Sequence, residues 1–354
     1  MNKKPLVFVG LSGGVDSSVA ALRLLHAGYE VVGVFIKVWH PDWLVCNWEA
    51  ERLDAMRVAA HLGIPFLTCN AEAAYRDGVA HYFIEEYKAG RTPNPDVLCN
   101  KEVKFGAFLE FARSHGADYV ATGHYAELGT APEGISLLRG VDSGKDQSYF
   151  LWMLGQAELA QTLLPVGKSE KSEIRAEAAA AGIPTAQKQD SQGVCFLGHI
   201  DIKEFLSHYT ELTTGDVLDE SGAVVGKHEG ALIYTIGQRH GFTLTTNDAE
   251  RQPYYVTAKD VATNTITVSA TKPAVAAGST ISICKTNWIL AAPAVGETLS
   301  FQTRYRQTPV EARVVATEGD CAVLEPLGAV EAVAAGQSCV CYRDRVCFGG
   351  GIIL

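Results

Sequence analysis

Two stretches of this 354-residue chain combine residue types suited to group transfer. The first is GLSGGVDSS, Gly10 to Ser18, with Leu11 and Val15 as its apolar members. Gly13 and Gly14 let a backbone approach a ligand and aim N–H groups at it. Ser12, Ser17 and Ser18 add hydroxyl donors, and a helix start would add partial positive charge. Asp16 does not suit simple anion capture. An acid beside phosphates holds a cation, for which Mg²⁺ is the natural choice. The common phosphate loop ends in a lysine that reaches the β and γ phosphates, and none stands here. Such a loop is better suited to hold a β,γ-pyrophosphate as a leaving group. Attack then falls on the α phosphate of ATP and produces an adenylated substrate.

The second stretch is RTPNPDVLCNKEVKFGAFLEF, residues 91–111. Pro93 and Pro95 stiffen an extended loop. Cys99 is placed just before an amphipathic helix predicted from about Asn100 to His115. A thiol at a helix start, with Lys101 and Lys104 nearby, is expected to be acidic. Asp96, three residues upstream, is a candidate proton acceptor. Cys195 stands in DSQGVCFLG, residues 190–198, between glycines. By itself Cys99 reads equally as an inert half-buried thiol, and Cys195 by itself reads as packing before chemistry. Together they suit sulfur transfer, in which one thiol carries a persulfide and a second cleaves the S–S bond, leaving a disulfide.

These residues need a frame. Residues 6–11, 29–39, 64–69 and 117–124 read as strands, separated by helical segments near 16–27, 49–62, 71–89 and 100–115. This alternation predicts an α/β fold with a doubly wound, mostly parallel sheet. Ligands of such sheets sit at the carboxyl ends of the strands. Ser12–Ser18, the loop Arg91–Asn100 and Thr122-Gly123-His124 all fall at or near such ends. After about residue 205 helical periods vanish and Gly, Thr and Val rise. The expected domains are 1–205, a small central domain at 206–274, and a C-terminal β-barrel at 275–354.

The bulk numbers narrow the classes. Hydrophobic residues make up 47% and charged residues 20%, ordinary for a globular protein. No apolar run approaches the ~20 residues of a membrane span, so no membrane partner and a cytoplasmic location are expected. The nine cysteines are odd in number and irregularly spaced, which argues against a disulfide framework and for mostly reduced thiols. The net charge of −10 argues mildly against nucleic acid, but local distribution outweighs the total.

GLSGGVDSS resembles the pyrophosphatase-type loop of the ATP pyrophosphatase superfamily, whose members have adenine nucleotide α-hydrolase-like domains and adenylate an oxygen. More specifically, AGRTPNPDVLCNKEVKFGAFLEFA, GADYVATGHYA, LLRGVDSGKDQSYFLW, DSQGVCFLG, YTIGQRHGF, TRYRQ and GQSCVCYRDRVCFGGGII resemble the bacterial tRNA-specific 2-thiouridylase family, in that family's order and over nearly the whole chain. The resemblance implies ATP-dependent replacement of O2 by sulfur in the wobble uridine of tRNAs for Lys, Glu and Gln. It places ATP at Gly10, Leu11, Ser12, Gly13, Gly14, Val15, Asp16 and Ser17, at Ile36 and at Gly123. Ile36 stands where many members have methionine, a change that a backbone contact to adenine tolerates. It makes Cys99 the nucleophile and Cys195 the persulfide carrier, with a Cys99–Cys195 disulfide in the cycle. Asn94, Pro95 and Asp96 would meet the target base. Lys145, Asp146, Gln147, His124, Arg304, Tyr305 and Gln337 would contact tRNA. A sulfur donor, either a cysteine desulfurase or a relay protein, is implied as partner. Residues 40–50 match the family only loosely, and Cys46 there is not expected to be catalytic.

Other features are weaker. Without the family, His124 reads equally as a site residue or a capped surface histidine. Gln238-Arg239 suits phosphate binding or a turn. RYRQ, residues 304–307, read as a strand, would put both arginines on one face. Residues 281–354 hold six Lys/Arg and seven Asp/Glu, so any RNA contact there must be local. Cys339 and Cys341 share a strand face, but no histidine completes a zinc set with Cys347, and no metal site is expected. A small-molecule synthetase of the same superfamily, or a non-catalytic RNA-binding module, would lack a use for both thiols.

Overall fold

The computed structural model describes residues 4–44, 48–189, 201–245 and 253–354. Strand β1 (Leu6–Gly10) leads into helix α1 (Val15–His26), then β2 (Glu30–Lys37), α2 (Trp48–Leu62) and β3 (Phe66–Asn70). Helical segments 72–88 and 95–114 follow before β4 (Tyr119–Ala121). A hairpin, β5 (Ala126–Ala131) and β6 (Gly134–Arg139), precedes β7 (Thr162–Leu163). The first sheet runs β3-β2-β1-β4-β7 and every pairing is parallel. The chain moves outward from β1 to β3 on one side and then crosses to β4 on the other. The carboxyl ends of β1 and β4 therefore flank a topological switch point, where ligands of such sheets bind.

Strand side chains alternate between two cores, as the pleat requires. Phe8, Val32, Val34 and Val120 pack with the helices between 72 and 114. Val7, Val9, Val31, Phe35 and Ala121 pack with α1, α2 and the helix Lys171–Ala180. The expected doubly wound arrangement is present.

Two further sheets follow. One, of five strands between Gly215 and Ser269, closes over Val217, Tyr234, Val256, Ile266 and Val268. The last is a barrel of strands Ile281–Trp288, Cys321–Pro326, Val310–Glu318, Thr298–Gln302, Ser338–Arg343 and Val346–Ile353 in that spatial order. It is closed by pairing of the first with the last. The β5–β6 hairpin extends this sheet, with Leu137 and Leu138 paired to Cys347 and Val346.

Strand Ser338–Arg343 divides between two cores. Cys339 and Cys341 face the barrel interior, whereas Val340 and Tyr342 join the core of the N-terminal domain. The barrel is thus fused to the first domain through shared sheet and shared packing. Among the described residues the thiols are mostly reduced, as expected: Cys69, Cys99, Cys339, Cys341 and Cys347 are free. Cys284 and Cys321 form a disulfide between neighbouring barrel strands, because register places their strands side by side. Among the described residues, no helix is long and apolar enough to cross a membrane.

Candidate active site

The loop Gly10–Ser18 is built largely from its own side chains. Gly13 takes a φ of +70°, a conformation that glycine adopts without steric cost. Ser12 Oγ accepts from the Gly14 N–H at 3.3 Å, and Ser17 Oγ accepts from the Ser12 N–H at 3.3 Å. Ser18 Oγ donates to the Gly14 carbonyl at 2.7 Å. Gly14 is the extended residue before α1, so the helix start opens onto the loop. Gly10 at the end of β1 lies against Ile36 on β2, where a Cβ would come within 3.4 Å of its Cδ1. Ile36 and the loop therefore share one end of the sheet.

Asp16 does face a cation, but one supplied by the protein. Lys171 Nζ lies 2.7 and 2.8 Å from the two Asp16 oxygens, and the Tyr125 hydroxyl donates to Oδ1 at 2.7 Å. Sequence reading found neither partner. Lys171 is 155 residues from Asp16 and Tyr125 is 109 residues from it.

Gly123 joins this loop to the end of β4. A Cβ at Gly123 would fall 2.6 Å from the Ser17 nitrogen and 2.8 Å from the Asp16 carbonyl carbon. Only a residue without a side chain permits that approach. Next to it, His124 is 6% exposed and its Nδ1 pairs with Thr122 Oγ1 at 2.7 Å. Burial, and then the nearby Lys104 charge, hold its pKa well below 6.5, so the ring is neutral at pH 7. It is not a surface histidine. Its ring centroid is 5.9 Å from that of Phe105, on the helix that carries Cys99.

The thiol segment differs from expectation in one respect. The helix begins at Pro95, with Asn94 before it, and not at Asn100. Proline suits the first helical position, where no N–H is needed. Cys99 thus sits one turn inside the helix, where a wider π-type stretch, Cys99–Ala107, begins. The predicted placement at the unsatisfied N–H groups of a helix start is not met. Asp96 and Cys99 are three residues apart and share a helix face. Cys99 is 4% exposed. Burial raises the Asp96 pKa, with Lys104 acting the other way, which makes Asp96 a stronger proton acceptor than a solvated carboxylate.

The loop before Asp96 is fastened to the other domains. The Thr92 N–H donates to the Ala335 carbonyl at 2.9 Å, and Thr92 Oγ1 meets Thr235 Oγ1 at 3.0 Å. Asn94 Oδ1 accepts from the Ser338 N–H at 2.6 Å while its Nδ2 donates to Gln337 Oε1 at 3.1 Å. Gln337 in turn donates to the Thr92 carbonyl at 2.7 Å. Asn94 and Gln337, expected at the RNA, are brought together and bonded to each other.

The remaining expected RNA contacts form a second group. Asp146 is buried and accepts from Arg139, from Ser148 Oγ and from the Gly140 and Ser148 N–H groups. Gln147 bridges to the Tyr125 N–H at 3.0 Å. These two shape the loop that carries Lys145. Arg304 and Tyr305 do not lie in a strand. They follow Thr298–Gln302 in a turn where Arg306 has φ +61°, so the alternation expected for RYRQ is lost. Arg304 Nη2 donates to the Ile236 carbonyl at 2.5 Å, tying barrel to central domain. Tyr305 packs on Phe150 at 4.6 Å, next to a small surface recess lined by Arg139, Ser143, Asp146 and Arg306.

Cys195 and Cys46 lie outside the described residues, as does the Cys99–Cys195 pairing. The flanks of residues 190–200 are anchored nonetheless. Lys188 pairs with Asp54 of α2 at 2.8 Å, and Phe205 packs on Phe83 and Trp43. Among the described residues, no cluster of three or more His, Cys, Asp or Glu could hold a metal ion. Cys339 and Cys341 are packed in the barrel core.

Comparison with known proteins agrees with this layout. Residues 5–199 match the model of the tRNA methyl transferase HUP domain, 203–270 that of the tRNA methyl transferase PRC-barrel domain, and 278–353 that of the aminomethyltransferase β-barrel domain. A protein of Enterococcus faecalis named tRNA-specific 2-thiouridylase is 44% identical over 99% of this chain and 96% of its own. One of Cupriavidus metallidurans with the same name is 45% identical over 98% of both chains. Another, of Lacticaseibacillus paracasei, is 43% identical over 99% of this chain and 95% of its own. The chain belongs to the tRNA-specific 2-thiouridylase family of tRNA sulfurtransferases.

Proposed function

We propose that the protein replaces O2 of the wobble uridine with sulfur in tRNAs for Lys, Glu and Gln, by way of an adenylated uridine and a cysteine persulfide. The observation that carries this reading is the contact of Gly123 with Asp16 and Ser17, next to His124 and the helix of Asp96 and Cys99. In this reading the glycine loop and the thiol helix would serve one site. ATP would lie along Gly10–Ser17 with its base against Ile36. The loop's hydroxyls and N–H groups would take the phosphates. Asp16 supplies hard oxygen donors within that loop, so it would fit Mg²⁺, which binds through one or two carboxylates plus phosphate oxygens. When bound, the ion would neutralise phosphate charge.

O2 of a flipped-out uridine attacks the α phosphate and pyrophosphate leaves. Flipping is needed because a stacked base could not reach both the nucleotide and the thiols. The terminal sulfur of a Cys195 persulfide then attacks C2, and AMP departs. The Cys99 thiolate, with Asp96 as proton acceptor, attacks Cys195 Sγ. This releases 2-thiouridine and leaves a Cys99–Cys195 disulfide, which a two-electron reductant resets. Asn94 and Pro95 position the base from a loop locked on the barrel. Lys145, presented by Asp146 and Gln147, would meet tRNA with Tyr305, Arg304 and Gln337. A cysteine desulfurase or relay protein would supply the persulfide. Nucleoside mass spectrometry tests the reading. With ATP, Mg²⁺, a persulfide source and unmodified tRNA, 2-thiouridine is expected, and Cys195→Ser should abolish it. ATP cleavage indifferent to tRNA would instead favour a small-molecule synthetase.

A further inference from the structure

The loop Gly10–Ser18 holds no lysine, yet an ammonium reaches it from elsewhere in the chain. Lys171 is the first residue of the ten-residue helix Lys171–Ala180. A cation there opposes the partial positive charge of the helix start, so the helix gains nothing from it locally. Its side chain is only 12% exposed and ends on both Asp16 oxygens. The helix is held firmly against α1. Arg23 and Glu177 pair at 2.7 Å, and Ile174 and Ala178 are buried in the core shared with Val19. The Lys171 N–H is also fixed, donating to Asp142 at 3.0 Å.

We propose that Lys171 is the cation of the phosphate site, standing in for the lysine that the loop lacks. This rests on the ATP reading above. Without nucleotide, Lys171 and Asp16 satisfy each other. When ATP binds with its metal, the ammonium turns from Asp16 to the β,γ-phosphate oxygens and leaves the carboxylate to the cation. Its four-carbon stem permits that short swing. In the adenylation step, uridine O2 bonds to the α phosphorus. The bond from that phosphorus to the bridging oxygen breaks, and its electron pair leaves with pyrophosphate. The uracil N3 proton passes to water. Lys171 neutralises the charge gained by the leaving group and is itself unchanged.

The test measures tRNA-dependent pyrophosphate release and, separately, ATP binding by equilibrium dialysis for Lys171→Ala and Lys171→Arg. Removing one charge-stabilising donor typically costs about 10²–10³-fold in rate. Lys171→Ala should lose that much at saturating ATP and tRNA and bind ATP more weakly, with tRNA binding retained. Added ethylammonium should restore part of the rate, which a merely structural lysine would not permit. Lys171→Arg keeps the charge and should keep more activity than Lys171→Ala; it serves as the folded reference if the alanine variant is unstable. Lys171→Ala within threefold of wild type, or Lys171→Arg as inactive as Lys171→Ala, overturns the role of Lys171 alone. Wild-type protein that releases no pyrophosphate with tRNA overturns the adenylation reading, and this inference with it.

Discussion

The glycine loop, Gly10–Ser18, and the loop before Asp96 are held in opposite ways. Ser12, Gly14, Ser17 and Ser18 bond one another across at most five residues. Thr92 and Asn94 reach partners 143 to 244 residues away, in the central domain and the barrel. The first is a module that any strand–helix junction could carry. The second exists only when all three domains are docked, so the geometry at Asp96 and Cys99 reports on assembly of the whole chain.

The largest effect expected from breaking the junction is at Gly123. Gly123→Ala puts a methyl 2.6 Å from the Ser17 nitrogen, where only backbone movement relieves it. A displacement of about 1 Å in an active site can cost about 10²-fold. Pyrophosphate release should fall by at least that order, while the far-ultraviolet circular dichroism of the native protein changes little.

Next comes the contrast between the loops themselves. Asn94→Ala leaves the Ser338 N–H without its acceptor, and an unsatisfied buried group costs about 1–3 kcal/mol. Urea denaturation should show that loss, with ATP affinity unchanged. Ser12→Ala should do the reverse, weakening ATP binding at a cost in stability below about 1 kcal/mol. Equal effects of both variants on both quantities would erase the distinction.

A smaller effect is set by pH. His124 has a folded-state pKa below its unfolded value, so the unfolded chain binds the extra proton first as pH falls. Its contribution to stability is complete above about pH 6.5. Below that it declines by up to about 1.4 kcal/mol per pH unit until the folded-state pKa is reached. Stability differences between wild type and His124→Asn, measured from pH 7.5 to 5.5, should contain this slope. A difference independent of pH would mean that His124 is not held neutral.

Much of the fold was legible, for reasons the same contrast explains. β1 and β2 announce themselves as continuous apolar runs because both faces of a parallel strand are covered. Gly13, Gly14, Asp16 and the serines are legible because their partners lie within a few residues. Lys171 was not, because nothing in KSEIR marks a lysine as belonging to a loop 155 residues earlier. Its one local sign is a cation at a helix start, against the dipole. The start of the Cys99 helix was misplaced because Pro93 and Pro95 look like a loop, whereas Pro95 is the first helical residue. Alternation in RYRQ mimics a strand, while a positive φ at Arg306 turns the chain. The hairpin Ala126–Arg139 gave no hint that it would extend the barrel sheet, since that pairing depends on domain docking.

The central claim is that uridine O2 is activated by the nucleotide and leaves with it. The most direct measurement uses tRNA whose wobble uridine carries oxygen-18 at O2, turned over with ATP and a persulfide source, and mass spectrometry of the AMP formed. The account predicts one oxygen-18 in AMP for each 2-thiouridine made. Thiolated tRNA accompanied by unlabelled AMP would contradict it.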